Sequence, residues 1–516
     1  MPVRPISVGS LILIVMTMLA AGGRVAVAAP RADPTEADED AAPAPKTKAK
    51  AKPKPTADEE PEVTPADDSA NPPAPPPPPP APAPAADVET PGARPTETVG
   101  FSDRLFVRTP GDEVVVFPGG RVQVDGAAFP RQTPKSGVFL RRARVELTGW
   151  LGRIFYFDAS ADFAPSPPPG GEPPAPSALP ATDNYVALAP FRDAFILQAG
   201  QFDAPFTLEN RTSDAYTTFI ERSFAVRSLG VPRNKEVGVM AHGLVGDVFY
   251  YSGGVFNGDG PDFRNFDNQV DAIGRGTVAP FASREGPFRR LSLGGSGWFG
   301  RHVLGPTFPL QATTGGVQFL NPVWTTGQPA RTYQLLENGY LVAFAAELSL
   351  PLGPRFGLRG EGVFKQQELA ESEVVTGTTP VTAAGNATLT GIGGYGEMWF
   401  WLAGDERMLP APGLQLPNRT DKRYRRAFDD GLMLALRGEF IKEDLTTGAP
   451  TLGDPTRATT RVISGTAGAN YWRGAFARIS INYVVNMWSG TSETIKALRA
   501  QELLEHELLV RFAISL

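Results

Sequence analysis

The sequence predicts an all-β protein, a transmembrane antiparallel β-barrel of about sixteen strands behind a signal peptide and a disordered Pro-rich segment. Three observations predict it: a final segment alternating with period two, a succession of similar segments from Phe101 onward, and no later apolar run of helix-spanning length. In the final segment Leu508, Val510, Phe512, Ile514 and Leu516 fall on one strand face. Leu509, Arg511, Ala513 and Ser515 fall on the other. Successive strand side chains point to opposite faces, so this spacing gives one unbroken apolar face.

The N-terminus reads as an export signal over residues 1–28. Arg4 is a basic start, Leu11 to Ala21 an apolar core too short to span a bilayer, and Ala26-Val27-Ala28 a small-x-small site. Residues 29–100 hold Pro75 to Pro80 and the run Lys46-Thr47-Lys48-Ala49-Lys50-Ala51-Lys52, with almost nothing apolar enough to bury. Chain entropy then outweighs burial, and a periplasmic linker rich in polyproline II is expected. Its lysines give it a possible contact with the anionic cell wall, although acidic residues outnumber basic ones there. The barrel domain is expected over 101–516. With no cysteine, disulfides and thiolate metal sites are excluded.

Within 101–516 strands are expected at 119–129, 137–150, 153–164, 183–190, 194–202, 235–244, 247–256, 270–281, 288–300, 338–350, 355–367, 390–403, 430–442, 459–472, 474–487 and 505–516. Most have the length of about 9–11 residues that a tilted spanning strand needs. With both termini in the periplasm, the turns after even strands are short, such as Val245-Gly246 and Pro351-Leu352-Gly353, and the outer loops mostly longer. Gly404 to Asp429 breaks that rule, which leaves two readings, a slipped register or a periplasmic insertion.

Charge on a lipid-facing surface costs about 2–4 kcal/mol at mid-membrane, so the polar faces belong to the lumen. On this basis Arg142, Arg144, Glu146 and Thr148 face inward, with Ala143, Val145 and Leu147 outward. Tyr156, Asp158, Ser160 and Asp162 face inward, as do Arg121 and Asp125. Trp298, Phe299, Trp399, Phe400, Trp401, Trp472 and Trp488 lie near strand ends, where an aromatic girdle would sit, with core packing as the plainer alternative. A barrel of this strand number encloses a water-filled channel.

Several blocks resemble the phosphate-selective porin O/P family of bacterial outer-membrane porins. They are Phe139 to Gly149, Gly200-Gln201-Phe202 through Glu209, Phe219 to Ser223, Tyr251 to Gly258, Gly468 to Trp472 and Ile481 to Tyr483. The resemblance implies a homotrimer in the outer-membrane lipid, a loop folded into each pore, and a basic lining that conducts small anions such as phosphate. Asp203 departs from it, because the family often carries a lysine after its Gly-Gln-Phe.

Arginine chemistry agrees. Beyond residue 100 there are 34 Arg against 6 Lys, although a compositional bias shared with Ala, Gly and Pro accounts for part of the excess. A guanidinium stays charged and offers a planar fork to phosphate oxygens, and such groups in a narrow pore favour anions. The candidate pore-lining anion contacts are Arg121, Arg142, Arg144, Arg211, Arg222, Arg227 and Arg233. Asp125, Glu146, Asp158 and Asp162 share the lumen, and the domain is nearly balanced at 40 basic against 41 acidic residues.

Other chemistry is thin. His242, His302 and His506 show no ligand spacing; His302 is expected in an exposed loop, and no metal or cofactor is expected. Gly391-Ile392-Gly393-Gly394-Tyr395-Gly396 fits a phosphate-loop pattern but has no helix after it, so a glycine-rich strand is expected. No nucleophile–histidine set supports an enzyme, and nothing indicates nucleic-acid binding. A competing reading is a structural anchor with a plugged barrel and a cell-wall arm.

Overall fold

In the computed structural model, residues 98–516 are described apart from 103, 131–135, 153, 165–180, 262–264, 266, 304–310, 313–317, 321–322, 327–330, 374–382, 410–411, 415–429, 448–456, 475 and 492–503. The expected signal peptide and nearly all of the expected linker lie outside these residues.

Sixteen antiparallel strands form the barrel, each overlapping one of the expected segments. The first nine are β3 (Val114–Ala128), β4 (Gly137–Leu151), β5 (Phe155–Asp162), β6 (Ala181–Leu188), β7 (Ile196–Asp203), β8 (Lys235–Val245), β9 (Phe249–Phe256), β10 (Asp271–Val278) and β11 (Ser292–His302). The other seven are β15 (Arg331–Leu352), β16 (Phe356–Glu373), β17 (Ala383–Ala403), β18 (Gly431–Thr447), β19 (Arg457–Arg473), β20 (Ala477–Gly490) and β21 (Leu504–Ser515). Each pairs with the next, and β21 closes the barrel on β3, with Phe512 opposite Val124 and Leu508 opposite Ala128. Closure leaves no sheet edge in the lipid.

The alternation sorts as the lipid solvent demands. Val145, Leu147, Val186, Val255, Phe344, Ile392, Phe440, Ile463 and Phe512 are exposed on the outside, while Gln123, Asp125, Gln201, Glu347, Glu361, Asn482 and Arg511 are buried inside. No described helix is long and apolar enough to cross a membrane.

Four expectations need adjustment. Strands β15, β16, β17, β18 and β19 run 22, 18, 21, 17 and 17 residues, far beyond the spanning length. Backbone pairing continues past the end of the apolar band, and hydropathy registers only the band. Trp298, Trp399, Trp401, Trp472 and Trp488 form no girdle: all five turn inward and are buried, while Phe299 and Phe400 face out. His302 is not loop-exposed; it ends β11, buried, with Asp271 3.6 Å and Asp267 and Glu337 each 4.0 Å away. Finally, β17 pairs with β16 and β18 along its length, with a bulge against β18 between Trp401 and Ala403, so the expected strand holds up to the 404–429 connection, which is an insertion at the turn end of the barrel.

Sequence reading also missed a hairpin, β1 (Val99–Ser102) with β2 (Arg104–Arg108), which pairs with β3 at Val107–Val116. The connection after β11 carries β12 (Gln311–Ala312), β13 (Gln318–Leu320) and β14 (Val323–Thr326), the last paired with β15. Tight turns follow local chemistry. Gly246 and Asp247 both hold positive φ, 58° and 56°, the mirror-image turn whose twist suits a hairpin.

Candidate functional site: the lumenal constriction

Residues 204–234, between β7 and β8, fold back into the lumen. The neck of this loop is closed by Ala204 N–H donating to the Asn234 carbonyl at 3.0 Å, and Asn210 Nδ2 donates to the carbonyls of Ala204 and Asn234 at 3.0 and 3.2 Å. Arg211 is buried and donates to the Asp203 carbonyl and, at 3.3 Å, to the Tyr250 hydroxyl. A buried loop must satisfy its backbone groups, and here the barrel wall supplies the partners. Leu208 and Glu209 N–H donate to the Glu361 carboxylate at 2.7 and 2.8 Å, Phe224 N–H to Glu439 at 2.9 Å, and Ile220 N–H to Asn482 Oδ1 at 2.7 Å. Thr218 Oγ1 donates to Glu397 at 2.9 Å.

The loop contains one helical turn, α1 (Phe224–Leu229), whose N-cap Ser223 accepts the Ala225 N–H. It lies against the glycine-rich part of β17, which is a strand as expected. A Cβ on Gly391 would stand 2.4 Å from Leu229 Cδ2, and one on Gly393 3.0 Å from the Ala225 Cβ. Absent side chains at those two positions are what let the helix approach the wall. With Phe206 edge-on to Trp298 at 5.8 Å, and with Phe202, Phe256, Ile273 and Leu335, the loop packs an apolar core into this side of the lumen.

Arginines here are matched by carboxylates. Arg275 meets Glu347 through two contacts of 2.9 and 2.5 Å, Arg359 meets Glu397 at 3.0 Å, and Arg437 meets Glu439 at 3.2 Å and Glu209 at 3.5 Å. Burial pushes the loop carboxyl of Glu209 up to about 7, against the pull of Arg437.

The opposite wall is different. Arg121 on β3 stands directly across from Arg144 on β4, and Arg142 donates to Gln123 at 2.7 Å. The ladder slips between Gln123 and Val124, leaving Arg141 as a bulge residue, so two consecutive arginines reach the loop tip. Arg121 pairs with Asp214, Arg142 Nε lies 2.6 Å from Asp214, and Arg141 Nε lies 3.3 Å from Glu221. Arg511 meets Asp125 with two contacts of 2.7 Å and Glu221 with one of 3.1 Å. Burial alone would raise the Glu221 carboxyl, but Arg141 and Arg511, then Arg227 and Arg142, hold it well below the usual carboxylate range.

Two guanidinium groups on this wall touch no carboxylate within hydrogen-bond distance among the described residues. The nearest to Arg144 are Asp183 at 3.9 Å and Asp162 at 4.0 Å. Arg478 donates to neutral oxygens only, Asn470 Oδ1 at 2.6 Å and the carbonyls of Thr217 and Ala215 at 2.7 and 3.3 Å, and lies 5.0 Å over the Trp472 ring. Glu146 also stands near Arg121, so the wall is mixed in charge but richest in arginine.

The structure thus brings Arg121, Arg142 and Arg144 together at the loop tip and places the other candidates along the loop itself. Arg222 donates to the carbonyls of Glu209 and Thr212 at 2.9 and 2.8 Å, Arg227 to that of Arg222 at 3.2 Å, and Arg233 to that of Pro261 at 3.0 Å. A carbonyl occupies N–H groups without cancelling the charge. Arg141, Arg478 and Arg511 were not singled out from sequence, although period two puts Arg478 in phase with Ser480 and Asn482, and Arg511 opposite the lipid-facing Phe512. Asp203 does not stand as a bare negative charge: Lys235, its partner on β8, lies 2.7 Å away and also reaches Asp183 at 2.7 Å.

Residues 119–303 match the family model described as phosphate-selective porin O and P. That stretch runs from β3 through β11 and contains the whole constriction loop, and over it the family model bears out the resemblance read from the sequence. No curated protein matches the chain. Among solved structures it is similar to a loop-deletion form of OmpT, an outer membrane protein of Vibrio cholerae, at 11% identity and TM-score 0.46, covering 78% of this chain and 100% of that one. The outer membrane channel DcaP of Acinetobacter baumannii is similar at 9% identity and TM-score 0.40, covering 78% and 97%. An anion-selective porin from Comamonas acidovorans is similar at 10% identity and TM-score 0.40, covering 78% and 100%.

Proposed function

We propose, proceeding from the porin match over residues 119–303, that this chain lets small hydrophilic solutes diffuse passively across the outer membrane with a preference for anions of the phosphate class. The observation that carries the preference is the arginine wall at the loop tip, above all Arg144, whose charge no described carboxylate meets closer than 3.9 Å. A fixed cation beside a narrow path lowers the electrostatic barrier for an anion and raises it for a cation. Arg121 and Arg142 stand beside it, partly engaged by Asp214, and offer the planar fork that suits phosphate oxygens. Arg211, Arg222, Arg227 and Arg233 hold the loop through carbonyls and add their charge to the field.

In this reading the protein is a homotrimer, its exposed apolar strand faces lie against lipid or a neighbouring copy, and the linker extends into the periplasm, where its lysines approach the cell wall. The reading is tested by the reversal potential of the purified protein in a planar bilayer under a KCl gradient. A potential near the chloride value, with phosphate reducing the chloride current, is expected. A cation-selective potential would overturn the anion preference, and an absent conductance would favour the structural anchor.

A further inference from the structure

The first, described part of the insertion between β17 and β18 does not stay outside the barrel. Glu406–Met408 forms a single 3-10 turn, and Trp399 Nε1 donates to Glu406 at 2.8 Å, so the connection folds inward as soon as it leaves β17. Met408 and Leu409 then pack against a buried cluster of Trp399, Trp401, Met433 and Trp472 that also contains Phe219 of the constriction loop. Further along, Gly413 is itself buried in the lumen. Its N–H donates to Thr212 Oγ1 of the constriction loop at 3.0 Å, and its carbonyl accepts Arg275 Nη1 at 2.8 Å. The local sequence suits such a hook. Pro412 fixes its own φ, and Gly413 holds φ 72°, the pair that a tight turn with a left-handed second residue requires. A Cβ on Gly413 would stand 2.5 Å from Arg275 Nη2, so glycine also allows the close approach.

We infer that the described parts of this connection, Gly404–Leu409 and Pro412–Leu414, are a positioning element for the constriction: entering from the turn end, they latch the loop at Thr212 and Phe219 and set how often the loop leaves its lumenal seat. Two separate contacts carry this, one polar and one apolar, and both join segments whose chain order keeps them far apart. The latch acts on the loop of the porin reading, but its first test does not depend on conduction.

Gly413→Ala places a Cβ 2.5 Å from Arg275 Nη2 at a φ of 72°, so it should drive the hook from its seat in a barrel that still shows heat-modifiable mobility. The released constriction loop should then be cleaved faster by protease within 204–234 than in the parent. Cleavage unchanged in Gly413→Ala would overturn the latch, whatever the ion selectivity. In single-channel records Thr212→Val, which removes the acceptor of the Gly413 N–H and also a donor to the Leu208 carbonyl, should raise the frequency of substate transitions by at least about fivefold, the factor one net hydrogen bond represents. Thr212→Ser keeps the acceptor and should restore the quiet trace. Records from Thr212→Val that match the parent would equally overturn the inference. Faster cleavage of Gly413→Ala in a pore without anion preference would sink the proposed function and leave the latch standing.

Discussion

Replacing Arg144 by glutamine removes one full charge from the arginine wall while keeping a polar side chain of similar reach. An ion passing about 6 Å from the guanidinium, in a water-like dielectric of about 80, feels about 0.7 kcal/mol from it. That is about a threefold change in the rate at which an anion crosses the constriction, and because a cation gains what the anion loses, the permeability ratio should fall about tenfold. The group is only 12% exposed, and its nearest carboxylates, Asp183 at 3.9 Å and Asp162 at 4.0 Å, offset part of its charge while standing beyond hydrogen-bond distance of its N–H groups. Reversal potentials should be taken at 0.1 M and 1 M salt, where the screening length drops from about 10 to 3 Å and the effect of the substitution should shrink. Arg144→Lys should retain the KCl selectivity but weaken phosphate block, since an ammonium keeps the charge and loses the planar fork. Selectivity unchanged in Arg144→Gln at low salt would refute the role given to this wall.

Three further outcomes follow from the same geometry. Asp214→Asn uncovers Arg121 and Arg142 together and should increase chloride over potassium selectivity, the reverse of Arg144→Gln, in the same bilayer assay. Glu209 titrates at about 7 when folded against 4.5 ordinarily, so the fold binds its proton more tightly than the unfolded chain does. Its stabilising share should be complete below the ordinary value, decline as pH rises between the two, and be gone above the folded value; the midpoint of heat-induced unfolding in detergent should show this slope, and Glu209→Gln should flatten it. Gly393→Leu forces a side chain against Ala225 and should destabilise the seated loop by about 1–3 kcal/mol, read as increased protease cleavage within 204–234.

How legible this molecule is in its sequence depends on the range of the interaction concerned. The strands are legible because a lipid exterior and a wet interior impose opposite demands on alternate residues, and that signal is local. Val145 and Leu147 outside, with Thr148 inside, follow directly from it. The inward tryptophans follow from the same logic: Trp399 and Trp401 share parity with Glu397, which cannot face lipid. The ends of β15 to β19 were not legible, since hydrogen bonding across strands continues where hydropathy falls silent. At the site, Arg121, Arg142 and Arg144 could be found by face alone. The bulge at Arg141 could not, because it appears only when β4 is set against β3. Nor does sequence reveal that Arg211 gives its N–H groups to the Asp203 carbonyl at the end of β7 and the Tyr250 hydroxyl, that Arg222 gives two to carbonyls of its own loop, or that Lys235 answers Asp203 from the neighbouring strand. The 404–429 segment is visible as an exception to the turn rule, but the entry of Gly413 into the lumen depends on Arg275 and Thr212, remote residues that no local pattern connects to it.

The constriction loop has a consequence for the wall as well as for the channel. On one side of the barrel β5, β6, β7, β9 and β10 are eight residues each, while β15 to β19 opposite run to twice that or more. The loop springs from the short side and is fastened to Glu361, Glu397, Glu439 and Asn482 on the long side and to Arg511 beside it. It therefore works as a tie-rod across a cylinder of uneven staves. Cutting it out to widen the bore would leave three carboxylates, an amide and a guanidinium without their seats, and the engineered pore would gain diameter only by losing the member that holds its weaker side in tension.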